Sequence, residues 1–358
     1  MADLFSNMLK KIAEFNKYAG SEKEAPAPAP VPIPTKTMKG LYLKKTFKEP
    51  HEIKLSVEDL PYPRIKKGEC LVQVYSAGVN ASDVLGALGY IPETLIPRIP
   101  GRDFAGVVVE GSEKHLGKKV WGTGGSVGLD SHGTHAEFTT VPDSAIVEIP
   151  ENMSVHQAGL QTLPYVTAYH GLIAEASMKS GDTVLVIGAL GQVGRAAMNL
   201  CRWKNCKVSA LVRGEANLRK AKNLGWEAFD QIPHDKTYDI ILNTVGTYYW
   251  SAALQKLKNF GRLITIAAPE GYREASINLL DLYRRNIKLI GVNTATLSFR
   301  QSAKYLTTLK TGFESGALTP LWLDPDALYP IEKAELAYRQ VFQNQGSKRI
   351  ALILKPMH

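Results

Sequence analysis

The residues best suited to bind a ligand form a glycine-rich turn in the second half of the chain. The turn follows an apolar run that starts at Asp182 and precedes a helical pattern that extends from Gln192 to Trp203. Such a turn reverses the chain tightly, lets its backbone approach a pyrophosphate and packs the helix on the strand. Because a helix start presents amide donors to phosphates, the turn predicts a bound dinucleotide. The predicted binding residues are Gly188, Ala189, Leu190, Gly191, Gln192, Val193 and Gly194.

The end of the next strand pattern indicates which dinucleotide binds. Proteins that use NAD usually place an acidic residue there, about 20 residues after the turn, to hold the ribose hydroxyls. Here the strand ends in Arg213, and a guanidinium pairs with a 2′-phosphate through two hydrogen bonds. Arg219 is a second candidate for this phosphate, whereas Glu215 could still hold a ribose. The pattern therefore favours NADPH and leaves NADH as the less favoured alternative.

Strand patterns alternate with helical patterns on both sides of the turn, from about residue 161 to residue 300. Further strands are predicted near residues 207–212, 238–243 and 262–267. This alternation is typical of a parallel, doubly wound α/β sheet, the Rossmann arrangement. We therefore predict a dinucleotide-binding domain over residues 161–300.

The preceding part of the chain, residues 38–160, is predicted to form a β-rich domain. Its short β-prone runs, such as 104–110 and 135–141, are broken by glycine and proline. A helical pattern and a strand pattern near the C-terminus are predicted to return to this domain and to complete it with about residues 301–358.

The first 37 residues differ in composition from the rest of the chain. Residues 3–19 place apolar side chains on one stripe at helical spacing, and alternating prolines follow as far as Pro34. A short amphipathic helix cannot bury its own apolar face. Three interpretations stay open: it folds back on the protein or is a mobile tail, it docks on a protein partner, compartment shell or other subunit, or it lies on a membrane surface. We expect a cytoplasmic protein, which this helix could tether.

Composition excludes several functional classes. The 358 residues carry a formal net charge of +9, but the basic residues are scattered and have no aromatic platform among them, so nucleic acid is not an expected partner. No apolar run reaches the roughly 18 residues of a membrane span. The three cysteines form no Cys-x-x-Cys motif, which argues against both a disulfide framework and a structural zinc site.

The chain resembles the medium-chain dehydrogenase/reductase superfamily from about residue 38 to its end, and most closely the zinc-independent quinone-oxidoreductase branch. The resemblance implies a GroES-like β-rich catalytic domain beside the Rossmann domain, and a homodimer. It rests, besides the glycine turn, on the motifs Ala77-Gly-Val-Asn80-Ala-Ser-Asp83, Pro100-Gly-Arg-Asp-Phe-Ala-Gly106, Leu163-Pro-Tyr-Val-Thr-Ala-Tyr169 and Asp239-Ile-Ile-Leu-Asn-Thr-Val-Gly246.

The same resemblance implies chemistry without a metal. Zinc-dependent relatives carry a Cys at the position of Asn80 and a His at the position of Arg102, and neither ligand is present here. Alcohol oxidation relies on zinc to promote loss of the hydroxyl proton. We therefore expect reduction of an acceptor that is already polarised.

Further site residues are implied by family position. Asn80 and Tyr90 should face the nicotinamide across the interdomain cleft, where Asn80 could donate to the acceptor oxygen. Tyr90 is either a hydrogen-bond or proton donor or an aromatic wall of the cleft. Asp83 and Asp103 are interpreted as structural, and His132 and His135 as loop residues. Further residues expected to line the cofactor are Thr167, Asn243, Val245, Ala267 and Lys348.

Three functions remain possible. The leading hypothesis is an NADPH-dependent, zinc-independent reductase that transfers hydride from the nicotinamide to a small-molecule quinone or α,β-unsaturated carbonyl. The second is an enoyl-thioester reductase that acts on enoyl-CoA or an acyl-carrier-protein substrate. The third, from another class, is a protein that binds NADPH without turnover.

Overall fold

The structure is a computed structural model that describes residues 37–92, 94–269, 273–343 and 348–355. The amphipathic segment 3–19, with its predicted docking role, lies outside these residues. No helix within the described ranges combines the length and apolar character that a membrane span requires. The expected homodimer stays a prediction.

Strands make up two main sheets and one small ribbon. In chain order they are β1 Thr37–Tyr42, β2 Ser56–Pro61, β3 Glu69–Gly78, β4 Phe104–Glu110, β5 Lys119–Gly122, β6 Phe138–Pro142, β7 Val147–Glu148, β8 Thr183–Ile187, β9 Lys207–Leu211, β10 Glu227–Phe229, β11 Tyr238–Asn243, β12 Leu257–Thr265, β13 Lys288–Gly291, β14 Leu328–Pro330 and β15 Ala351–Ile353.

Helices connect and cover these strands. They are α1 Ala81–Ala87, α2 Val155–Ala158, α3 Thr162–Tyr169, α4 Gln192–Trp203, α5 Glu215–Asn223, α6 Trp250–Lys256, α7 Leu279–Arg284, α8 Phe299–Glu314 and α9 Ala334–Gln343.

The second half of the chain folds as a parallel sheet with the strand order β10-β9-β8-β11-β12-β13. The strand order reverses at β8, which makes the carboxyl end of β8 the switch point where such sheets bind ligands. The interior of β8 is a continuous buried apolar run, as expected for a strand that is covered on both faces. The prediction of a doubly wound sheet is confirmed.

The first half of the chain forms a mostly antiparallel sheet with the order β14-β15-β3-β4-β5-β7, and β6 pairs with β3. β15 lies beside β3, so the end of the chain returns to this sheet. The exact domain boundaries stay a prediction. β4 coincides with the predicted run 104–110. β6 begins at Phe138 and not at His135, because residues 135–137 bond to β1: the N–H of Leu41 donates to the carbonyl oxygen of His135, and the N–H of Glu137 donates to that of Lys39.

A single cluster of buried apolar side chains joins the two sheets. It extends from Val72 of β3 through Tyr165 of α3 to Val184 of β8, and Leu306 and Phe313 of α8 close one side. The two halves therefore share a core, and side chains from both can be held at a common site.

A buried ion pair ties the C-terminal segment to the first sheet. The guanidinium of Arg349 contacts the carboxylate of Asp103 at 2.5 Å, and the two side chains are 2% and 0% exposed. The same guanidinium donates to the carbonyl oxygens of Leu160 and Val79. Because its partners come from three separate parts of the chain, the Arg349 side chain ties these parts together.

Replacing Arg349 with Met should lower the free energy of unfolding by about 3–5 kcal/mol, because it leaves the Asp103 carboxylate buried without its countercharge. The matched control is Lys348→Met. Lys348 also makes an ion pair, at 2.9 Å to Asp324, but its side chain is 43% exposed. Its loss should cost less than about 1 kcal/mol. Urea unfolding of both variants measures the difference, and equal losses would contradict this account.

Candidate cofactor site and active site

The glycine turn begins directly after β8, at Gly188, whose backbone conformation starts the reversal of the chain. Gly188 has a φ of +79°, a backbone conformation that favours glycine. A Cβ atom at this position would lie 2.1 Å from Oγ1 of Thr244. That hydroxyl donates to the carbonyl oxygen of Ile187 at 2.9 Å and so ties the ends of β8 and β11 together. A side chain at residue 188 would force these two strand ends apart.

Gly191 and Gly194, the other two glycines of the turn, have different steric surroundings. A Cβ at Gly194 would lie 2.4 Å from the carbonyl oxygen of Gly188, so glycine is needed for α4 to pack on the turn. A Cβ at Gly191, the residue before α4, would meet only that same oxygen, at 3.3 Å. The space above Gly191 is therefore open to a phosphate, beside the amide donors that a helix start leaves without an intrahelical partner.

The remaining predicted residues of the turn differ in burial, and their contact with a dinucleotide stays a prediction. Ala189 is fully buried beneath the turn, whereas Leu190, Gln192 and Val193 are half-buried at its surface. The turn and the start of α4 thus have the shape that a pyrophosphate requires.

Arg195 is a candidate that the sequence interpretation missed. It lies in the first turn of α4, and its Nε donates to the carbonyl oxygen of Leu190 at 2.9 Å. A guanidinium is thereby held against the glycine turn, where phosphate charge would lie. Its signal in the sequence is weak, because a cation just inside a helix is usually solvated.

Arg213 and Arg219 differ in their surroundings. Arg213 follows β9 and is exposed. Burial raises the pKa of the nearby Tyr249 phenol, and the charge of Arg213 opposes part of that rise. Arg219 instead pairs with Glu215 one turn away on α5, on an exposed face. This ion pair joins the two other residues that the sequence offered, Arg219 for the phosphate and Glu215 for the ribose. Arg213 is then the remaining candidate cation at the end of β9.

Asn243, Val245 and Ala267 follow the neighbouring strands. The Asn243 side chain is fully buried: Nδ2 donates to the carbonyl oxygen of Gly246 at 2.6 Å, and Oδ1 accepts from the N–H of Val245 at 3.0 Å. Asn243 therefore shapes the turn after β11. Ala267 is exposed just beyond the end of β12. All three residues lie at the carboxyl edge of the parallel sheet, and their contact with a cofactor stays a prediction.

The side chains of Thr167 and Lys348 already have polar partners within the protein. Thr167 is buried in α3 and donates from Oγ1 to the carbonyl oxygen of Leu163 at 2.7 Å, so its hydroxyl can only accept from a ligand. Lys348 pairs with Asp324, and this hydrogen-bonded carboxylate raises the pKa of the lysine ammonium. A role of Lys348 at the cofactor would require it to leave that carboxylate, and both roles stay predictions.

The two predicted catalytic residues flank one short helix. Asn80 precedes α1, and its backbone N–H is held by the Asp83 carboxylate at 2.7 Å. Its Nδ2 donates to Oδ2 of Asp103 at 2.9 Å and to the carbonyl oxygen of Gly78 at 3.4 Å. Tyr90 follows the helix and is 43% exposed. A hydrogen bond from Asn80 to a substrate would have to replace the longer bond to Gly78.

The Asp103 carboxylate accepts hydrogen bonds from a group of buried residues in the first domain, which we call the polar centre. Besides Asn80 and Arg349, its carboxylate accepts from Oγ1 of Thr162 at 2.5 Å and from the N–H of Leu163 at 2.7 Å. It thus joins β4, the start of α1, the start of α3 and the C-terminal segment. The interpretation of Asp103 as structural agrees with these contacts.

His135 lies in the loop between β5 and β6, but its side chain is not a surface group. It is fully buried, with Nδ1 2.8 Å from the Tyr338 hydroxyl and Nε2 3.3 Å from the carbonyl oxygen of Gly78. Burial lowers the pKa of His135 to about 4, so the ring is neutral at pH 7. Interpreting it only as a loop residue missed this contact, because Tyr338 lies far away in the sequence.

Arg102 lies beside this centre and is only 3% exposed. Its Nη2 donates to the carbonyl oxygen of Gly125 at 3.0 Å, whereas its buried Nε has no hydrogen-bond partner within the described part of the chain. Burial lowers the pKa of the guanidinium, and the carboxylates of Asp83 and Asp103 oppose that shift. Arg102 is therefore buried near two carboxylates without forming an ion pair with either among the described residues.

The loop that Arg102 binds also touches the second domain. The N–H of Gly125 donates to the carbonyl oxygen of Leu297, and Gly124 packs against the backbone of Phe299. Leu297 follows β13, at the carboxyl edge of the parallel sheet. Through this contact, Arg102 and the polar side chains around Asp103 lie near the β13 side of the parallel sheet.

The donor set at this centre does not fit a zinc ion. Among the described residues, no group of three or more His, Cys, Asp or Glu side chains is placed to hold a metal. Asn80 and Arg102 present an amide and a guanidinium at the two ligand positions that the resemblance identifies. A guanidinium is cationic and has no acceptor atom.

Two known sequence families match the chain. Residues 66–151 match the family described as "Alcohol dehydrogenase GroES-like domain", and residues 193–309 match the one described as "Zinc-binding dehydrogenase". An alcohol dehydrogenase superfamily protein from Novosphingobium aromaticivorans has a similar structure, with a TM-score of 0.79 and 25% identity over 89% of this chain and 100% of that one. The GroES-like prediction for the first domain is confirmed.

Curated relatives cover most of the chain. A zinc-type alcohol dehydrogenase-like protein of Schizosaccharomyces pombe is 36% identical over 78% of this chain and 86% of its own length. A quinone oxidoreductase of Homo sapiens is 29% identical over 86% of this chain and 95% of its own length. A mycocerosic acid synthase-like polyketide synthase of Mycolicibacterium smegmatis is 30% identical over 76% of this chain, which matches 13% of that much larger protein.

Replacing Gly191 with Ala should weaken dinucleotide binding with little loss of thermal stability. The new methyl group would fill the open space above the turn, and overpacking of this kind costs about 1–3 kcal/mol, or about 5- to 100-fold in Kd. Gly188→Ala is the contrasting variant, since it should lower the melting temperature by displacing Thr244. Fluorescence titration with NADPH and thermal melting separate the two effects. Unchanged affinity in Gly191→Ala would show that the turn does not bind phosphate.

Proposed function

We propose a function from the premise that this chain belongs to the medium-chain dehydrogenase/reductase superfamily, in its quinone-oxidoreductase-like branch. The protein is an oxidoreductase of that family. Within this class, we propose that it is an NADPH-dependent, zinc-independent reductase that transfers hydride to a quinone or to an α,β-unsaturated carbonyl.

The choice of NADPH is supported by Arg213. The ribose of the adenosine half would lie beside the end of β9, where Arg213 is exposed and carries no ion pair within the described residues. A planar guanidinium matches the two oxygens of a 2′-phosphate. Arg195 adds a second positive charge next to the glycine turn, and both charges favour the cofactor with the additional phosphate.

The choice of acceptor is carried by one observation: the place of a metal site is taken by Asn80, hydrogen-bonded to Asp103, and by the buried Arg102. These groups cannot act as bases towards an alcohol. The Asn80 amide can donate a hydrogen bond to an oxygen that becomes negative. A quinone or an enone needs only such polarisation, because hydride can add to it directly and leave the charge on oxygen.

The side chains around the cleft would position this reaction. The bound cofactor supplies a hydride from the nicotinamide ring. Asp103 fixes the orientation of the Asn80 amide, and α1 then sets the distance from Asn80 to Tyr90. The Tyr90 hydroxyl, on an exposed residue three positions after α1, would donate a hydrogen bond or proton to the reduced product.

An enoyl-thioester reductase is the second candidate. It is favoured by the match to a part of a mycocerosic acid synthase-like polyketide synthase. An enoyl thioester is also an α,β-unsaturated carbonyl, so the same side chains would serve it. The two candidates differ in the size of the group that the cleft must admit.

Replacing Arg213 with Ala should raise the Kd for NADPH by about 10- to 100-fold, as expected for loss of a hydrogen bond to a charged group. The Kd for NADH should change by less than about threefold. Lys222→Ala is the matched control, because Lys222 is an exposed cation on the adjacent helix. Equal losses for the two cofactors in Arg213→Ala would remove the argument for the 2′-phosphate.

The proposed function is tested by following NADPH oxidation with a benzoquinone, an aliphatic enone and crotonyl-CoA, and NADP⁺ reduction with primary and secondary alcohols. We expect turnover with the quinone or the enone, none with alcohols, and no loss of rate after treatment with a metal chelator. Faster turnover of crotonyl-CoA would favour the second candidate. Alcohol oxidation that a chelator abolishes would contradict the proposal, and tight NADPH binding without turnover of any acceptor would indicate a non-catalytic protein.

A further inference from the structure

The buried charges around Asp103 do not balance. Three guanidinium groups, those of Arg98, Arg102 and Arg349, lie near two carboxyl groups, those of Asp83 and Asp103, and each of the five residues is 3% exposed or less. His135 is neutral at pH 7 and does not change this sum. A buried charge without a partner is costly, and proteins retain one mainly where a ligand supplies the countercharge.

Two of these guanidinium groups, those of Arg98 and Arg102, make no ion pair among the described residues. Arg349 is in contact with Asp103, and Asp83 accepts from the backbone of Asn80. No carboxylate among the described residues lies within ion-pair distance of Arg102. Among the described residues, one of the five N–H donors of its guanidinium has a hydrogen-bond partner, Gly125, and the buried Nε has none. An anionic ligand that reaches this guanidinium would supply the missing acceptor.

Arg98 is the other buried guanidinium without an ion pair, and its Nη2 likewise has no hydrogen-bond partner among the described residues. It is equally buried and binds the same loop, but two of its nitrogens donate to the carbonyl oxygens of Gly128 and Leu95, at 2.6 and 2.9 Å. Arg98 senses the charges of Asp83 and Tyr338, whereas Arg102 senses those of Asp83 and Asp103. Arg102 is thus the guanidinium on the side of the Asn80–Asp103 pair, next to the loop that contacts Leu297.

We propose that the Arg102 guanidinium is an oxyanion subsite that binds the acceptor oxygen and stabilises the negative charge formed on it. This inference rests on the proposed function and adds to it a catalytic residue. The hydride brings an electron pair to the acceptor carbon, the π electrons move onto the acceptor oxygen, and the nicotinamide is oxidised. The oxygen anion is held by Arg102 until a proton from water or from Tyr90 neutralises the reduced product.

The subsite also predicts a specificity. An acceptor must present a carbonyl or quinone oxygen towards Arg102, so an alkene activated by a group without such an oxygen should be a poor substrate. Small planar anions that match a guanidinium fork, such as nitrate, should occupy the subsite and compete with the acceptor but not with NADPH.

The test compares wild type with Arg102→Gln and Arg102→Lys in the full-length chain loaded with NADPH. Removing the charge should lower the rate of hydride transfer to a quinone, measured in a single turnover, by about 100-fold, as for loss of one oxyanion donor. The Kd for NADPH should stay within about twofold. Arg102→Lys keeps a charge and should recover part of the rate. Arg98→Lys is the control for damage to the loop. Its melting temperature should fall, but nitrate should still compete with the acceptor.

Nitrate binding to the NADP⁺ complex, measured by calorimetry, separates this inference from the proposed function. Nitrate that binds wild type and Arg98→Lys but not Arg102→Gln supports the subsite, even if no acceptor tested is reduced. An unchanged hydride-transfer rate in Arg102→Gln, or equal nitrate binding in all variants, would overturn it while leaving the reductase activity intact.

Discussion

The carboxylate of Asp103 is the constraint on which the site depends. It is fully buried and accepts hydrogen bonds from Asn80, Thr162, Leu163 and Arg349. These four partners belong to the start of α1, the start of α3 and the C-terminal segment, so one side chain sets how three parts of the chain meet β4. A carboxylate is suited to this task because it accepts several hydrogen bonds at once and its charge strengthens each of them.

The half of the molecule that contains the parallel sheet depends on a different constraint: the ends of its central strands must lie close together. The ends of β8 and β11 are held together by the bond from Thr244 to Ile187, and only a glycine at residue 188 allows it. The contact of Gly125 with Leu297 then brings the Asp103 centre to the same edge of the sheet.

Local patterns predicted the parts of the fold that depend on neighbours in sequence. The glycine turn, the parallel alternation around it and strand 104–110 follow from periodicity and turn chemistry, and the structure contains them. The surroundings of individual side chains did not follow. His135 was interpreted as a loop residue because Tyr338, its partner, is 203 residues away. Sequence alone could not show either that Arg349 forms an ion pair while Arg102 forms none among the described residues, since pairing of buried charges depends on contacts between distant segments.

The most direct test of the central claim, that a metal-free polar centre faces a bound NADPH, is a crystal structure of the chain with NADP⁺. The account predicts the 2′-phosphate at about 3 Å from the Arg213 guanidinium, the pyrophosphate over Gly191, and the nicotinamide beside Asn80 and Arg102. A metal ion bound at the Asn80–Arg102 position would contradict it. So would a nicotinamide ring lying away from the Asp103 centre.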